Sequence, residues 1–109
     1  MPHLVILYTP NLEAHVDFTA LCRRLADTML ALHDEEGRQV FPTGGVRVLA
    51  YPATHYAVAD GGAAGRAAGG SGDYGFVYLN LRMARGRSTA VQQQAGKALE
   101  GATTAQLGL

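Results

Sequence analysis

The residues with the clearest chemical potential in this sequence are a proline beside the amino terminus and a set of arginines. If Met1 is removed, as is usual before a small residue, Pro2 presents a secondary amine at the start of the chain. An uncharged amine of this kind can act as a general base. Many chains begin with Met-Pro and make no catalytic use of the proline, so Pro2 alone leaves both interpretations open.

The arginines could hold an acidic ligand. Arg82, Arg85 and Arg87 follow an apolar run and precede Ser88, a plausible helix N-cap. The start of a helix attracts anions, and a guanidinium can bind a carboxylate through two parallel hydrogen bonds. Arg47 is a charge within an otherwise apolar stretch, so it must reach solvent, an ion-pair partner or a ligand. A solvated basic turn and a structural ion pair explain the same residues without any ligand.

Other familiar site patterns fail because of their context. Residues 70–75 match G-x-G-x-x-G, but they follow a loop-like segment and open a strand, whereas a dinucleotide site opens a helix. The 4 histidines lack metal-ligand spacing, one cysteine cannot supply a zinc cluster, and no G-x-S-x-G segment offers a serine nucleophile. Cys22 falls within an apolar helical stripe and is interpreted as a core residue. These patterns therefore indicate neither a metal site nor a dinucleotide site.

Hydrophobic patterning predicts the strands that must position these residues. An apolar, β-branched run at 3–8 predicts a buried strand. A second strand is predicted at 46–58, with a bulge or an edge position at Pro52, which lacks a backbone donor. A third is predicted at 74–83; both of its faces are apolar, which favours a place inside a sheet or against a partner subunit. The Gly/Ala-rich segment 60–73 is predicted to be a flexible, exposed loop.

Two helices complete the predicted elements. Asp17 is expected to cap the first, whose apolar stripe ends near His33, before the solvated charged turn at 34–37. Ser88 is expected to cap the second, which reaches about Leu107. The order strand, helix, strand, strand, helix predicts an α/β (α+β) fold built from a duplicated strand–helix unit. Right-handed crossovers would place both helices on one face of the sheet.

The bulk composition narrows the class of protein. A chain of 109 residues with 48% hydrophobic residues is the usual size of one globular domain, here 1–109. Nine basic residues balance nine acidic ones, which argues against non-specific nucleic-acid binding. No apolar run is long enough for a transmembrane helix, and the chain has no recognisable secretory leader. The single cysteine fits a reducing compartment, so a cytoplasmic location is expected.

Several segments, in order along nearly the whole chain, resemble the 5-carboxymethyl-2-hydroxymuconate isomerase family of the tautomerase superfamily. They are MPHLVILYTPN, FPTGGVRV and DYGFVYLNLRMARGRS, followed by the QQQAG helix. The G-x-R strand opening and the G-R-S-x-x-x-x-Q-Q-A-G segment are the more specific of these. Against the family pattern, the 60–73 segment is longer and the chain ends sooner after the second helix.

The resemblance implies a fold, an activity and a site. The fold would be a duplicated βαβ-type tautomerase fold, with two helices on one face of a four-stranded, or shortened, sheet. The enzyme would be a homotrimer with active sites near subunit borders, acting on a small carboxylate without a cofactor. The family's amino-terminal proline base corresponds to Pro2, and its substrate-binding arginines correspond to Arg47 and Arg87. Burying an amine beside guanidinium groups disfavours its charged form, which would leave the base free near neutral pH.

Three functional interpretations remain open from the sequence. The first is a tautomerase acting on a 2-hydroxymuconate-type acid, and the second is a tautomerase with another small keto–enol acid as substrate. The third is a non-catalytic trimeric ligand-binding or interaction protein that retains the fold. Only the first two require Pro2 to carry a free amine.

Overall fold

The computed structural model describes residues 2–108, which form a mixed α+β fold with a three-stranded sheet. The strands are β1 (His3–Tyr8), β2 (Arg47–Pro52) and β3 (Val77–Arg82). The helices are α1 (Phe18–Leu30), the short α2 (Ala63–Ala67) and α3 (Thr89–Leu107), and a 3-10 turn covers Pro10–Ala14. The predicted fold class is thus confirmed, in its shortened form.

Strand β1 lies at the centre of the sheet, parallel to β2 and antiparallel to β3. It begins and ends where the apolar run predicts. Leu4, Ile6 and Tyr8 are buried, while His3 and Leu7 on the other face are exposed. This alternation shows that only one face of the sheet is covered by the rest of the chain.

Both predicted helix starts are confirmed. The Asp17 carboxylate accepts a hydrogen bond from the backbone N–H of Ala20 at 3.0 Å, and this satisfies one of the free donors of α1. The Ser88 hydroxyl accepts one from the N–H of Val91 at 3.1 Å at the start of α3. Helix α1 ends at Leu30, slightly before the predicted end, and α3 ends at Leu107 as predicted.

The core lies between the covered face of the sheet and the helices α1 and α3, which pack against each other. The prediction that both helices share one side of the sheet is therefore confirmed. Cys22 is half-buried against this core, also as predicted. The buried apolar side chains of the cluster are Leu4, Ile6, Leu21, Leu25, Met29, Leu32, Val40, Phe41, Val91, Ala95 and Leu99.

Two predicted strands are longer than the observed ones, because β1 is short. Strand β2 ends at Pro52, which is paired with Tyr8, the last residue of β1; Pro52 does occupy an edge strand, as predicted. Strand β3 begins only at Val77, which is also paired with Tyr8. Two places were predicted for β3, inside a sheet or against a partner subunit; the first is wrong for the single chain, because β3 forms the other edge.

The Gly/Ala-rich segment is not an irregular loop throughout, because it contains α2. Asp60 organises it: its carboxylate accepts hydrogen bonds from the N–H of Gly62 (2.8 Å), the N–H of Ala64 (3.2 Å) and the hydroxyl of Tyr74 (2.8 Å). Gly62 has a φ of 88°, and a Cβ there would lie 2.6 Å from the carbonyl oxygen of Gly72. The turn therefore requires glycine at this position.

We expect Asp60→Asn to loosen this segment. The hydrogen bond from Gly62 is the main cause that holds the pKa of Asp60 below its usual range, with those from Tyr74 and Ala64 adding to it. Because the pKa of Asp60 is lower in the folded than in the unfolded chain, its carboxylate stabilises the folded state at pH values above the unfolded pKa, about 3.9. This stabilisation is lost as the pH falls through the folded pKa.

Amide hydrogen exchange at Gly62 and Ala64, corrected for intrinsic rates, measures the effect of this change. At pH 6, exchange at these two amides should be faster in Asp60→Asn than in the parent protein. In the parent it should become faster only in acid, where the Asp60 carboxylate is protonated. Asp73→Asn is the matched control, since no hydrogen bond is made to the Asp73 carboxylate within residues 2–108. Equal acceleration in both variants would contradict the role of Asp60.

Candidate active site

Pro2 lies directly before β1, at the end of the sheet where β2 also begins. Pro2 is buried, and its carbonyl oxygen accepts a hydrogen bond from the N–H of Arg47 at 3.2 Å. A Cβ built at Gly45 would lie 3.4 Å from Cδ of Pro2 and 3.0 Å from Cγ of Pro42. The glycine therefore allows the 42–45 turn to pack closely against the Pro2 ring.

Arg47 is the first residue of β2, and its side chain is exposed on the uncovered face of the sheet. Its Nη1 donates to the carbonyl oxygens of Gly44 at 3.0 Å and Val46 at 2.9 Å. These bonds direct the guanidinium back toward the turn that contacts Pro2. Within residues 2–108 Arg47 has no ion pair, so donors on Nη2 and Nε remain for a ligand.

Arg87 lies just before α3 and contacts Val40 and Phe41, which precede the 42–45 turn. Its Nη2 donates to the carbonyl of Val40 at 3.1 Å, and its Cζ lies 5.7 Å from the centre of the Phe41 ring. The half-buried guanidinium is therefore held both by a hydrogen bond and by the aromatic face. It lines a polar cleft of about 420 Å³ that also contains Asp34 and Glu35.

Hydrogen bonds at this cleft fix both acidic residues as carboxylates. The N–H of Arg38 is the main cause that lowers the pKa of Asp34, and the Ser88 hydroxyl, which donates to Glu35 at 2.7 Å, lowers the pKa of Glu35. The 34–37 turn is charged as predicted and, apart from the half-buried Asp34, exposed; through Glu35 it also bonds to Ser88 at the start of α3. An anionic ligand in this cleft would have to avoid both carboxylates.

The structure brings Pro2 and Arg47 together at one end of the sheet. Arg87 is connected to this region only through other residues. Its guanidinium lies against the Phe41 ring, and the next residue, Pro42, belongs to the turn that packs against Pro2. The hydrogen bonds of Arg87 join it to Val40, not to Pro2 or Arg47. Within one chain, Arg47 is exposed on the uncovered face of the sheet, whereas Pro2 is buried and Arg87 is half-buried.

Two further basic residues lie near Pro2: His3, which was not selected from the sequence, and Arg82, which was considered only together with Arg85 and Arg87. His3 pairs with Arg47 on one side and with Arg82 on the other, so these three residues form one row across the sheet. The sequence grouped Arg82 with Arg85 and Arg87, because it showed their nearness along the chain. The available signal was that His3 and Arg82 are basic residues at the ends of otherwise largely apolar strands, but only the strand register shows that they lie next to each other.

A second cavity, of about 440 Å³, lies at the opposite end of the sheet and contains none of the candidate residues. It is formed between the 3-10 turn, the start of β3 and the end of α3, and its walls are mostly apolar. Its lining residues are Leu12, His15, Val16, Gly75, Phe76, Val77, Leu79, Glu100, Thr103, Thr104 and Leu107. Its lining includes no arginine or lysine, and the Glu100 carboxylate would repel an anion, so this cavity is poorly suited to an acidic substrate.

A family model identifies the protein family to which this chain belongs. The family model described as 5-carboxymethyl-2-hydroxymuconate isomerase matches residues 2–108. The chain belongs to the 5-carboxymethyl-2-hydroxymuconate isomerase family. It is accordingly an isomerase of that family.

Individual members of the family agree with this assignment. The 5-carboxymethyl-2-hydroxymuconate Delta-isomerase of Escherichia coli is 27% identical over 99 residues, which are 91% of this chain and 67% of the relative. A crystal structure of a 5-carboxymethyl-2-hydroxymuconate delta-isomerase is 68% identical, with a TM-score of 0.95 over 99% of this chain and 72% of that one. A 5-carboxymethyl-2-hydroxymuconate isomerase from Deinococcus radiodurans R1 is 33% identical, with a TM-score of 0.74 over 98% and 69% of the two chains.

Residues 2–108 offer neither a cluster of side chains for a metal ion nor a helix that could span a membrane. No group of three or more histidine, cysteine, aspartate or glutamate side chains is placed to hold a metal ion there. Among the same residues, no helix has the length and apolar character needed to cross a membrane.

Proposed function

We propose that the protein is a cofactor-independent tautomerase that moves a proton within an unsaturated 2-hydroxy or 2-oxo carboxylic acid similar to 5-carboxymethyl-2-hydroxymuconate. Pro2 is the general base, and Arg47 and Arg87 bind the substrate. The observation that carries the proposal is the buried position of Pro2 at the end of the sheet where Arg47 begins β2. Family membership supports the reaction class.

The proposed chemistry conserves atoms and electrons without a metal or cofactor. The uncharged nitrogen of Pro2 takes a proton from a substrate carbon, and the electrons of that C–H bond move into the conjugated system toward the carbonyl oxygen. The resulting proline ammonium returns the proton to another carbon of the same molecule. Arginine stabilises the oxyanion that develops between these steps and holds a carboxylate in place.

This mechanism requires removal of Met1, which lies outside the described residues. With Met1 in place, the nitrogen of Pro2 belongs to an amide and has no useful basicity. Intact-mass measurement of the protein expressed without a tag tests the requirement, and the expected mass lacks one methionine. Full retention of Met1 in an active preparation would reject Pro2 as the base.

We further propose that the protein works as a cytoplasmic homotrimer. The uncovered face of the sheet supports assembly, because it exposes large apolar side chains: Leu7 is 39%, Leu49 38%, Tyr51 49% and Tyr78 54% exposed. Such a contiguous apolar surface is typical of a contact between subunits. A pocket open toward this face would then be completed near a subunit border.

Steady-state kinetics with 5-carboxymethyl-2-hydroxymuconate test the substrate class. We expect turnover, and we expect Arg47→Ala and Arg87→Ala each to raise KM by roughly tenfold, because each removes a charge-assisted hydrogen bond. Lys97→Gln, on the exposed side of α3, is a control for loss of one positive charge. Turnover of simple keto–enol acids alone would assign a different substrate, and no turnover of any such acid would favour a ligand-binding protein.

A further inference from the structure

The uncovered face of the sheet carries a row of basic residues beside Pro2. His3 is paired with Arg47 of β2 and with Arg82 of β3, so the three side chains lie next to one another across the whole sheet. All three are exposed. Because directly paired residues point to the same face, these side chains share the surface that the helices do not cover.

This row has no acidic counterpart in the sheet. None of the segments HLVILY, RVLAYP and VYLNLR contains an aspartate or a glutamate. Within residues 2–108, neither Arg47 nor Arg82 takes part in an ion pair, and the Arg82 side chain makes no hydrogen bond. The positive charge at this end of the sheet is therefore uncompensated by the chain that the structure describes.

The rows behind it are largely apolar. The next same-face row contains Val5, Leu49 and Asn80, and the one after it contains Leu7, Tyr51 and Tyr78. A basic row bordered by apolar surface on one side interacts more strongly with an anion than one fully surrounded by water. The basic row therefore resembles a ligand-binding site more than an ordinary solvated surface.

The spacing suits a ligand with more than one carboxylate. Neighbouring strands lie about 4.8 Å apart, so the Cα atoms of Arg47 and Arg82 are separated by roughly 10 Å. His3, between them, directly follows Pro2 in the chain. Long arginine side chains on both sides can approach one molecule whose reacting carbon lies near Pro2.

We propose that Arg82, together with His3, binds a second carboxylate of a dicarboxylate or tricarboxylate substrate whose first carboxylate is held by Arg47. Arg82 thereby determines the preference for polycarboxylates over monocarboxylates. The proposal rests on the proposed function for its substrate class. Arginine suits this role because its guanidinium grips a carboxylate through two parallel hydrogen bonds.

Calorimetric titration with tricarballylate, a saturated tricarboxylate that cannot tautomerise, tests binding separately from catalysis. We expect Arg82→Gln to weaken tricarballylate binding by about tenfold and His3→Gln by about threefold. Arg82→Lys, which keeps the charge but not the paired donors, should fall between the parent and Arg82→Gln. Propionate, a monocarboxylate, should bind the parent and Arg82→Gln equally.

Two control variants test whether tricarballylate binding depends on this row of residues or on the positive charge of the protein in general. Lys97→Gln removes one charge from α3, and Arg85→Gln removes one from the turn after β3. Both should bind tricarballylate within about twofold of the parent. A loss in either control equal to that in Arg82→Gln would overturn the proposal, as would unchanged binding in Arg82→Gln or no binding by the parent. Circular dichroism confirms that each variant is folded.

The same variants distinguish failure of this inference from failure of the proposed chemistry. If tricarballylate binding depends on Arg82 while no acid is turned over, the binding row stands and Pro2 chemistry is rejected. If turnover is observed and the ratio of kcat/KM between tricarboxylate and monocarboxylate substrates is the same in Arg82→Gln as in the parent, the assignment of Arg82 is rejected alone.

Discussion

Pro2→Ala is expected to lower kcat by roughly a hundredfold while leaving the fold intact. General base catalysis contributes about 10²–10⁴-fold, and alanine still offers an amine once Met1 is removed, so part of this contribution survives. The loss arises because a primary amine lacks the ring that limits the freedom of the nitrogen and aligns it with the substrate.

Blocking the nitrogen should have a larger effect than replacing the ring. A variant with a residue before Pro2 that is not removed turns the nitrogen into an amide, and kcat should fall by the full ~10²–10⁴-fold. In the active protein kcat/KM should rise with pH as the proline amine loses its proton, because only the uncharged form is a base. The blocked variant should lose this acidic limb along with its activity.

Pro10→Ala is the matched control for Pro2→Ala. Pro10 begins the 3-10 turn after β1, at the opposite end of the strand from Pro2. The Pro10→Ala variant should retain a kcat within about threefold of the parent value, because Pro10 lies outside the proposed site. Pro2→Ala with kcat close to that of the parent would show that another group takes the proton.

Phe41→Ala is expected to destabilise the protein by about 3–5 kcal/mol, the largest stability effect that we anticipate. Phe41 is completely buried and is among the largest fully buried side chains. Its removal leaves a cavity in the core beneath Arg87, whose guanidinium now lies 5.7 Å from the ring centre. We therefore expect KM to rise as well, because Arg87 loses the surface that holds it.

Urea unfolding at fixed protein concentration measures the stability change, since assembly would make the midpoint concentration-dependent. Phe41→Leu is the matched variant: it refills part of the cavity and should cost less than half as much. If Phe41→Ala instead lowered stability by less than about 1 kcal/mol, the ring would not be the core anchor that its burial indicates.

Local features of the fold could be predicted from the sequence because their causes are local. The apolar run of β1 and the capping residues Asp17 and Ser88 lie within the elements that they define. The ends of β2 and β3 could not be predicted in this way, because both are set by Tyr8, the last residue of a partner strand. The helix α2 was missed because Asp60, which organises this segment, accepts a hydrogen bond from Tyr74 on the far side of the glycine-rich stretch.

The same distinction applies to the candidate site. Pro2, Arg47 and Arg87 followed from motifs that can be read along the chain, and their catalytic roles remain predictions. The place of Arg82 beside His3 depends on antiparallel register between segments far apart in sequence. Periodicity indicates which face a residue occupies, but not which residue of another strand lies opposite.

The central position of β1 has a consequence for biosynthesis. This strand is synthesised before both of its hydrogen-bonding partners, β2 and β3, which follow it in the chain. Contacts between distant segments form slowly, so the sheet can close only after most of the polypeptide has been synthesised. Pro2, which packs against the 42–45 turn and accepts a hydrogen bond from Arg47, can therefore become buried only after that turn and the start of β2 have been synthesised.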